Sequence, residues 1–184
     1  MSIRNTRSSY GSVAILFHWL IFILVAIMIP LGYFMGDIPD EAMRGQAFNF
    51  HKVLGVCILI LMLMRVSWAF YSVKPGLPFQ TPLWQRVSER CVHFLLYAGL
   101  IVMPLSGLIG SVAAGRPPHI YGINIELPIS LNKAVASFAF KEIHEPLAII
   151  LIVLICIHIL AALYHHFIKR DDILRRMMGS ERKW

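Results

Sequence analysis

The stretch KEIHEPLAIILIVLICIHILAALYHHF, residues 141–167, decides the fold. As a helix it is long and apolar enough to cross a hydrocarbon core of about 30 Å, which takes roughly 20 residues. Yet it carries His144, His158, His165 and His166. Ionisable groups inside a membrane are costly, so they face a bundle interior and serve function. A seven-residue step along an α-helix turns the side chain by only about 20°. His144, Leu151, His158 and His165 therefore share one narrow stripe, and His166 points about 100° away from it. Along the axis His144 and His158 lie about 21 Å apart, and His158 and His165 about 10 Å apart.

Three further apolar segments, 11–35, 48–71 and 90–114, join this one, 143–168, to make four of membrane-spanning length. The 184 residues are 58% hydrophobic, well above the roughly 45–50% of soluble domains. The expectation is an all-α membrane protein: a four-transmembrane-helix bundle, one domain over 1–184, in contact with lipid. The first segment is too long for the apolar region of a signal peptide and reads as a retained helix. Most of the 17 lysines and arginines sit at the N-terminus, around the 72–89 connection and in the tail 169–184. By the positive-inside rule both termini are cytoplasmic. The net charge of +7 does not point to nucleic acid, because the basic residues cluster at the ends of apolar segments. Cys57, Cys91 and Cys156 lie inside those segments and read as buried thiols. The outer loop 115–142 is long for a helix connection and reads as a lid on the outer face, with His119 at the surface.

Matching depth pairs the histidines. His144 opens the fourth helix at the outer end, and His51, in FNFHKVLG, opens the second at the same end. His158 and His18 stand at a similar height above the cytoplasmic border, and His93 and His165 are both shallow there. Neutral imidazole is the usual axial ligand of haem iron, and helix bundles build cofactor sites from facing side chains. Two bis-histidine haems stacked across the membrane is the economical reading. Zinc fits less well, since it gathers four ligands closely and these pairs lie far apart along the axis. Small residues four positions from the ligands, Gly55, Ala148, Ala162 and Ala14, leave room for a porphyrin. Arg65, in the cytoplasmic half of the second helix, needs a partner. A haem propionate or the interface would serve.

YGSVAILFHWL in the first helix, FHKVLG in the second, KEIHE opening the fourth, the His144–His158 interval and the ending ALYHHFIKRDDILRRMMG together resemble the bacterial cytochrome b561 family over essentially the whole chain. The resemblance implies a di-haem b protein of the bacterial inner membrane, with iron held by His18 with His158 and by His51 with His144. The KEIHE and HHF pieces look most like the superoxide oxidase type. That type takes electrons from periplasmic superoxide and gives them to ubiquinone on the cytoplasmic side, and by this resemblance His165 lies at the quinone site. Lys52 and Lys141 flank the outer ligands and would steer an anionic donor, although the outer connections hold at least as many acidic as basic groups. Two other readings are a cytochrome b subunit serving a dehydrogenase or other redox partner, and a histidine-relay transporter. Leu151, Leu154 and Ile155 fill the space between the histidines and speak against the transporter.

Overall fold

The computed structural model describes residues 2–76, 81–128 and 130–179. Residues 77–80 of the 72–89 connection, 129 of the outer loop and 180–184 of the tail lie outside the described residues. Four helical stretches are long and apolar enough to cross a membrane: Ser12–Asp37, Glu41–Tyr71, Leu83–Ala113 and Lys133–Lys169. Within them run α1 (Ser12–Phe34), α2 (Glu41–Tyr71), α3 (Leu83–Ala113), α4 (Lys133–Ser137) and α5 (Glu145–Tyr164). A last short helix, α6 (Ile173–Met177), follows.

Several helices begin earlier than hydropathy suggests, because caps rather than apolarity set their starts. α2 starts at Glu41 instead of 48, where the Asp40 side chain accepts from the Met43 N–H at 2.7 Å. α3 starts at Leu83 instead of 90, straight after Pro82. The fourth helical stretch begins at Lys133 instead of 143, where Asn132 accepts from the Ala134 and Val135 N–H groups. It winds wider over Phe138–His144 before α5. Pro146 follows that turn, lacks an N–H and crowds the carbonyl four residues back, so a regular turn is not available there. A second wide turn, His165–Lys169, closes the helix. Both wide turns thus hold histidines, His144 and His165.

The outer loop contains a small antiparallel hairpin, β1 (His119–Ile120) with β2 (Ile123–Asn124), His119 opposite Asn124. Its two linking residues, Tyr121 and Gly122, both take positive φ (48° and 83°), as tight hairpin turns require. Asn49 on α2 pins it from both sides: its Nδ2 donates to the His119 carbonyl and its Oδ1 accepts from the His119 N–H, each at 2.9 Å. Replacing Asn49 with alanine is expected to free the hairpin. Two partly exposed hydrogen bonds together hold about 1 kcal/mol, so limited proteolysis within 115–128 should speed up several-fold while the helices stay intact. Unchanged cleavage would mean that the hairpin is held by something else.

At the opposite end the N-terminal segment, the 72–76 strand of chain and α6 lock together. Asn5 donates to the Val73 carbonyl, Gly76 N–H to the Arg7 carbonyl, Arg176 to the Gly76 carbonyl and Trp19 Nε1 to the Met177 carbonyl. This is the terminal end of the bundle, and the hairpin marks the loop end. Between the two, Ile21, Ile58 and Met62 form a buried core with Met28, Leu100 and Ile101 packed on it. The three cysteines are exposed on the helix surfaces. They face what lipid covers instead of lying buried within the bundle.

Candidate functional site

The helices of the bundle pack in chain order, α1 on α2, α2 on α3 and α3 on α5. Across the seams left between α1 and α5 and between α2 and α5, imidazoles face each other. At the terminal level His18 of α1 lies opposite His158 of α5, ring centroids 6.2 Å apart and planes at 60°. At the loop level His51 of α2 lies opposite His144, 6.3 Å apart at 68°. The buried core and Leu151, packed on Gly99 of α3, fill the space between the levels.

These separations can be tested against a metal. A five-membered ring with bonds near 1.35 Å has its atoms about 1.1 Å from its centre. A metal–imidazole bond is about 2.0–2.1 Å. Two imidazoles on opposite sides of one metal ion therefore have centroids about 6.2 Å apart, as both pairs do. His93 is the group that sequence spacing left without a role. It stands 5.3 Å from His158, too close to straddle a metal with it. Its Nδ1 donates to the Glu89 carboxylate at 2.9 Å and lies 2.9 Å from the Glu89 carbonyl. Among the described residues no cluster of three or more His, Cys, Asp or Glu groups could hold a bare metal ion.

The surroundings of each imidazole differ. His144 Nδ1 donates to the Met103 carbonyl at 3.0 Å, with the Ser106 hydroxyl 3.2 Å away and itself bonded to Met103. That places the ring hydrogen on Nδ1 and leaves Nε2 with its lone pair, the tautomer a metal ligand needs. His51 Nδ1 is buried with no partner among the described residues. His18 Nδ1 faces Arg65 Nη2 at 3.2 Å, and Arg65 Nε donates to the Tyr97 hydroxyl at 3.0 Å. Arg65 is thus turned into the bundle beside an imidazole and does not reach for the interface.

Glycines frame the loop-level pair. A Cβ on Gly107 would lie 2.9 Å from His144 Cε1, and one on Gly32 would lie 3.2 Å from His51 Cε1. Neither glycine stood out at i±4 spacing, because each lies on a helix other than that of the ring it admits. Gly55, which did stand out, is buried between α1 and α3. A Cβ there would meet Met28 and Pro104 at ordinary distances of 3.8 and 3.9 Å.

The remaining expected site residues are spread over both ends. Lys52 Nζ donates to the Arg116 carbonyl at 2.8 Å and so anchors the outer loop. Lys141 is exposed between Phe140 and Glu142, three residues before His144. His165 pairs through Nδ1 with the Asp171 carboxylate, whose other oxygen accepts from the Ile173 N–H and starts α6. Arg170, in the left-handed conformation (φ 55°), makes the elbow that brings Asp171 back. Tyr10, just before α1, is partly buried. Burial pushes its phenol above the ordinary range and the Glu89 carboxylate adds to the push, so it stays protonated as a donor.

Comparison with known proteins agrees with this architecture. A family profile described as "Prokaryotic cytochrome b561" matches residues 9–180. The chain is 36% identical over 183 residues to "Cytochrome b561 homolog 2" of Escherichia coli (strain K12), covering 98% of this chain and 96% of that protein. It is 28% identical over 174 residues to "Cytochrome b561 homolog 1" of the same strain, covering 92% and 96%. It is also 28% identical over 177 residues to "Probable superoxide oxidase CybB" of Yersinia pestis, covering 96% and 99%. Proteins of the matched family bind haem b, and the four apolar helices place this one across a bacterial membrane. A four-span helical frame with imidazoles facing across its seams, matched by that profile over nearly its whole length, belongs to the prokaryotic cytochrome b561 family of membrane electron-transfer proteins.

Proposed function

We propose that the chain holds two haem b groups, one between His18 and His158 and one between His51 and His144, and carries electrons from the loop end to the terminal end. The observation that carries this is the pair of ring separations, 6.2 and 6.3 Å, each the span of two imidazoles about one iron. When bound, such groups supply two one-electron carriers at different depths. The protein's part is to hold and orient. Met103 and Ser106 fix His144 with Nε2 free. For His18 to ligate through Nε2, its ring hydrogen must sit on Nδ1, where Arg65 now donates. Arg65 then turns to another acceptor, and a haem propionate is the one to hand.

Most basic residues gather at the terminal end, which makes that end cytoplasmic, the loop end periplasmic and the membrane the bacterial inner membrane. The donor is periplasmic superoxide and the acceptor ubiquinone. Two superoxide ions lose one electron each to become dioxygen, and the quinone takes both electrons and two cytoplasmic protons to become the quinol. Lys52 and Lys141 flank the loop-level ligands and favour an anion there. His165, braced by Asp171, stands at the terminal end as the residue the family resemblance associates with the quinone.

The likeness to the Yersinia pestis protein supports superoxide as donor. A second reading, a cytochrome b subunit fed by a dehydrogenase or other redox partner, is favoured by the apolar hairpin tip. There Tyr121 and Ile123 stand exposed on the loop end, as a protein contact would use them. A spectrum and an assay separate these readings. Purified protein should show a reduced α-band of two low-spin haems per chain, and a colourless folded protein ends both. Superoxide should reduce the bound haem and a short-chain quinone reoxidise it. Reduction no faster than that of a soluble b-type cytochrome replaces the first reading with the second.

A further inference from the structure

Between the terminal halves of α2 and α3 lies a cavity of about 450 Å³, bordered by Val66, Phe70, His93, Phe94, Tyr97 and Ile101. This size is within the roughly 300–1,000 Å³ of small-molecule sites, which are mostly apolar with a few placed polar groups. Here the polar groups are two. Tyr97 accepts from Arg65 Nε, so its own hydroxyl hydrogen is free to donate. The guanidinium also lies 5.1 Å over the Tyr97 ring and polarises it. His93 closes the cavity on the side of the terminal imidazole pair. Its ring is 5.3 Å from that of His158, and Glu89 fixes its orientation. Phe70 and Phe94 are largely exposed on the helix surfaces that lipid covers. The cavity is therefore entered from the bilayer and not from water.

An occupant must be lipid-soluble, flat enough to lie among aromatic rings, and able to accept a hydrogen bond. We infer that this slot seats the ring of a quinone, with the Tyr97 hydroxyl donating to one carbonyl, next to the His18–His158 pair through His93. The inference rests on the electron-transfer reading above and moves the seat of the acceptor away from the α5–α6 elbow. At the elbow His165 already gives its Nδ1 to Asp171, whereas Tyr97 borders the slot with its hydroxyl hydrogen uncommitted.

The test uses the haem-loaded full chain and a photoreactive short-chain quinone, with the labelled peptides identified by mass spectrometry. Label should fall on residues 65–71 or 93–101. Tyr97→Phe should raise the KM for the short-chain quinone about tenfold, equivalent to about 1.4 kcal/mol, within the range of one lost hydrogen bond. Ala69 also borders the slot, and Ala69→Leu, which narrows it without touching a polar group, should cut labelling sharply with haem content intact. Label confined to residues 164–178, or a Tyr97→Phe variant with unaltered KM, overturns the slot and leaves the electron-transfer reading standing. A wild-type protein whose reduced haem no quinone reoxidises overturns both.

Discussion

Alanine at His158 is expected to remove one haem of the two and leave the other. Haem content should fall from about two to about one per chain, and roughly half of the reduced α-band should go with it, since each haem b iron takes its own pair of axial ligands. The effect should stay local for two reasons. His158 and His144 are about 21 Å apart along one helix, and Ile21, Ile58, Met62 and Leu151 pack the space between the levels. His144→Ala should take away the complementary half, so that the two difference spectra add up to the wild type. His93→Ala is the informative control. His93 lies nearer to His158 than His18 does. At 5.3 Å it is too close to share a metal with His158, so that variant should keep both haems. Loss of the same spectral component from His144→Ala and His158→Ala would refute the two-level arrangement. Loss of a haem from His93→Ala would replace His18 as the partner.

The placing of the histidines was legible in the sequence because membrane helices obey strict periodicities. The seven-residue stripe from His144 to His165 needs only helix geometry, and matching depths from the membrane borders paired His51 with His144 and His18 with His158. Both pairs face each other across the seams. What failed to show were features made by contact between helices. His93 belongs to the terminal-level cluster, but its depth measured from Arg90 made it only shallow, because α3 begins seven residues sooner than its apolar run. Arg65 called for a partner, and the structure gives it Tyr97 and His18, both on other helices. The caps at Asp40 and Asn132 are ordinary polar residues, and a hydropathy window passes over them. The hairpin at Tyr121–Gly122 was readable in principle from its glycine, yet strands of two residues leave no alternation to detect. Lys52 looked like a free cation because nothing in the sequence links it to the Arg116 carbonyl.

The glycines provide the second large expected effect, and they separate two explanations of small residues near the ligands. If a small residue at i±4 is needed beside each histidine to admit the porphyrin, Gly55→Ala should be damaging. The structure points elsewhere. A methyl at Gly55 meets only ordinary contacts at 3.8 and 3.9 Å, and alanine suits a helix better than glycine by about 1 kcal/mol, so Gly55→Ala should keep both haems and melt no earlier. At Gly107 the same methyl would lie 2.9 Å from His144 Cε1 and 3.1 Å from Nδ1. That ring is tied to the same helix by the Nδ1 bond to the Met103 carbonyl at 3.0 Å, so it cannot move away without giving up the contact that sets its tautomer. Gly107→Ala should therefore lose most of the loop-level haem, a tenfold or greater fall in occupancy, with the His18–His158 component of the spectrum unchanged. Gly32→Ala should fall between the two. Its methyl would approach His51 Cε1 to 3.2 Å, but His51 Nδ1 has no partner among the described residues to tether it, and the ring can give way by a few tenths of an ångström. The order of haem loss, Gly107 beyond Gly32 beyond Gly55, is read from pyridine haemochrome content and difference spectra of the three variants. The reverse order, with Gly55→Ala the most damaging, would mean that the porphyrin presses on α2 beside His51, and that close packing of His144 on α3 is incidental to holding it.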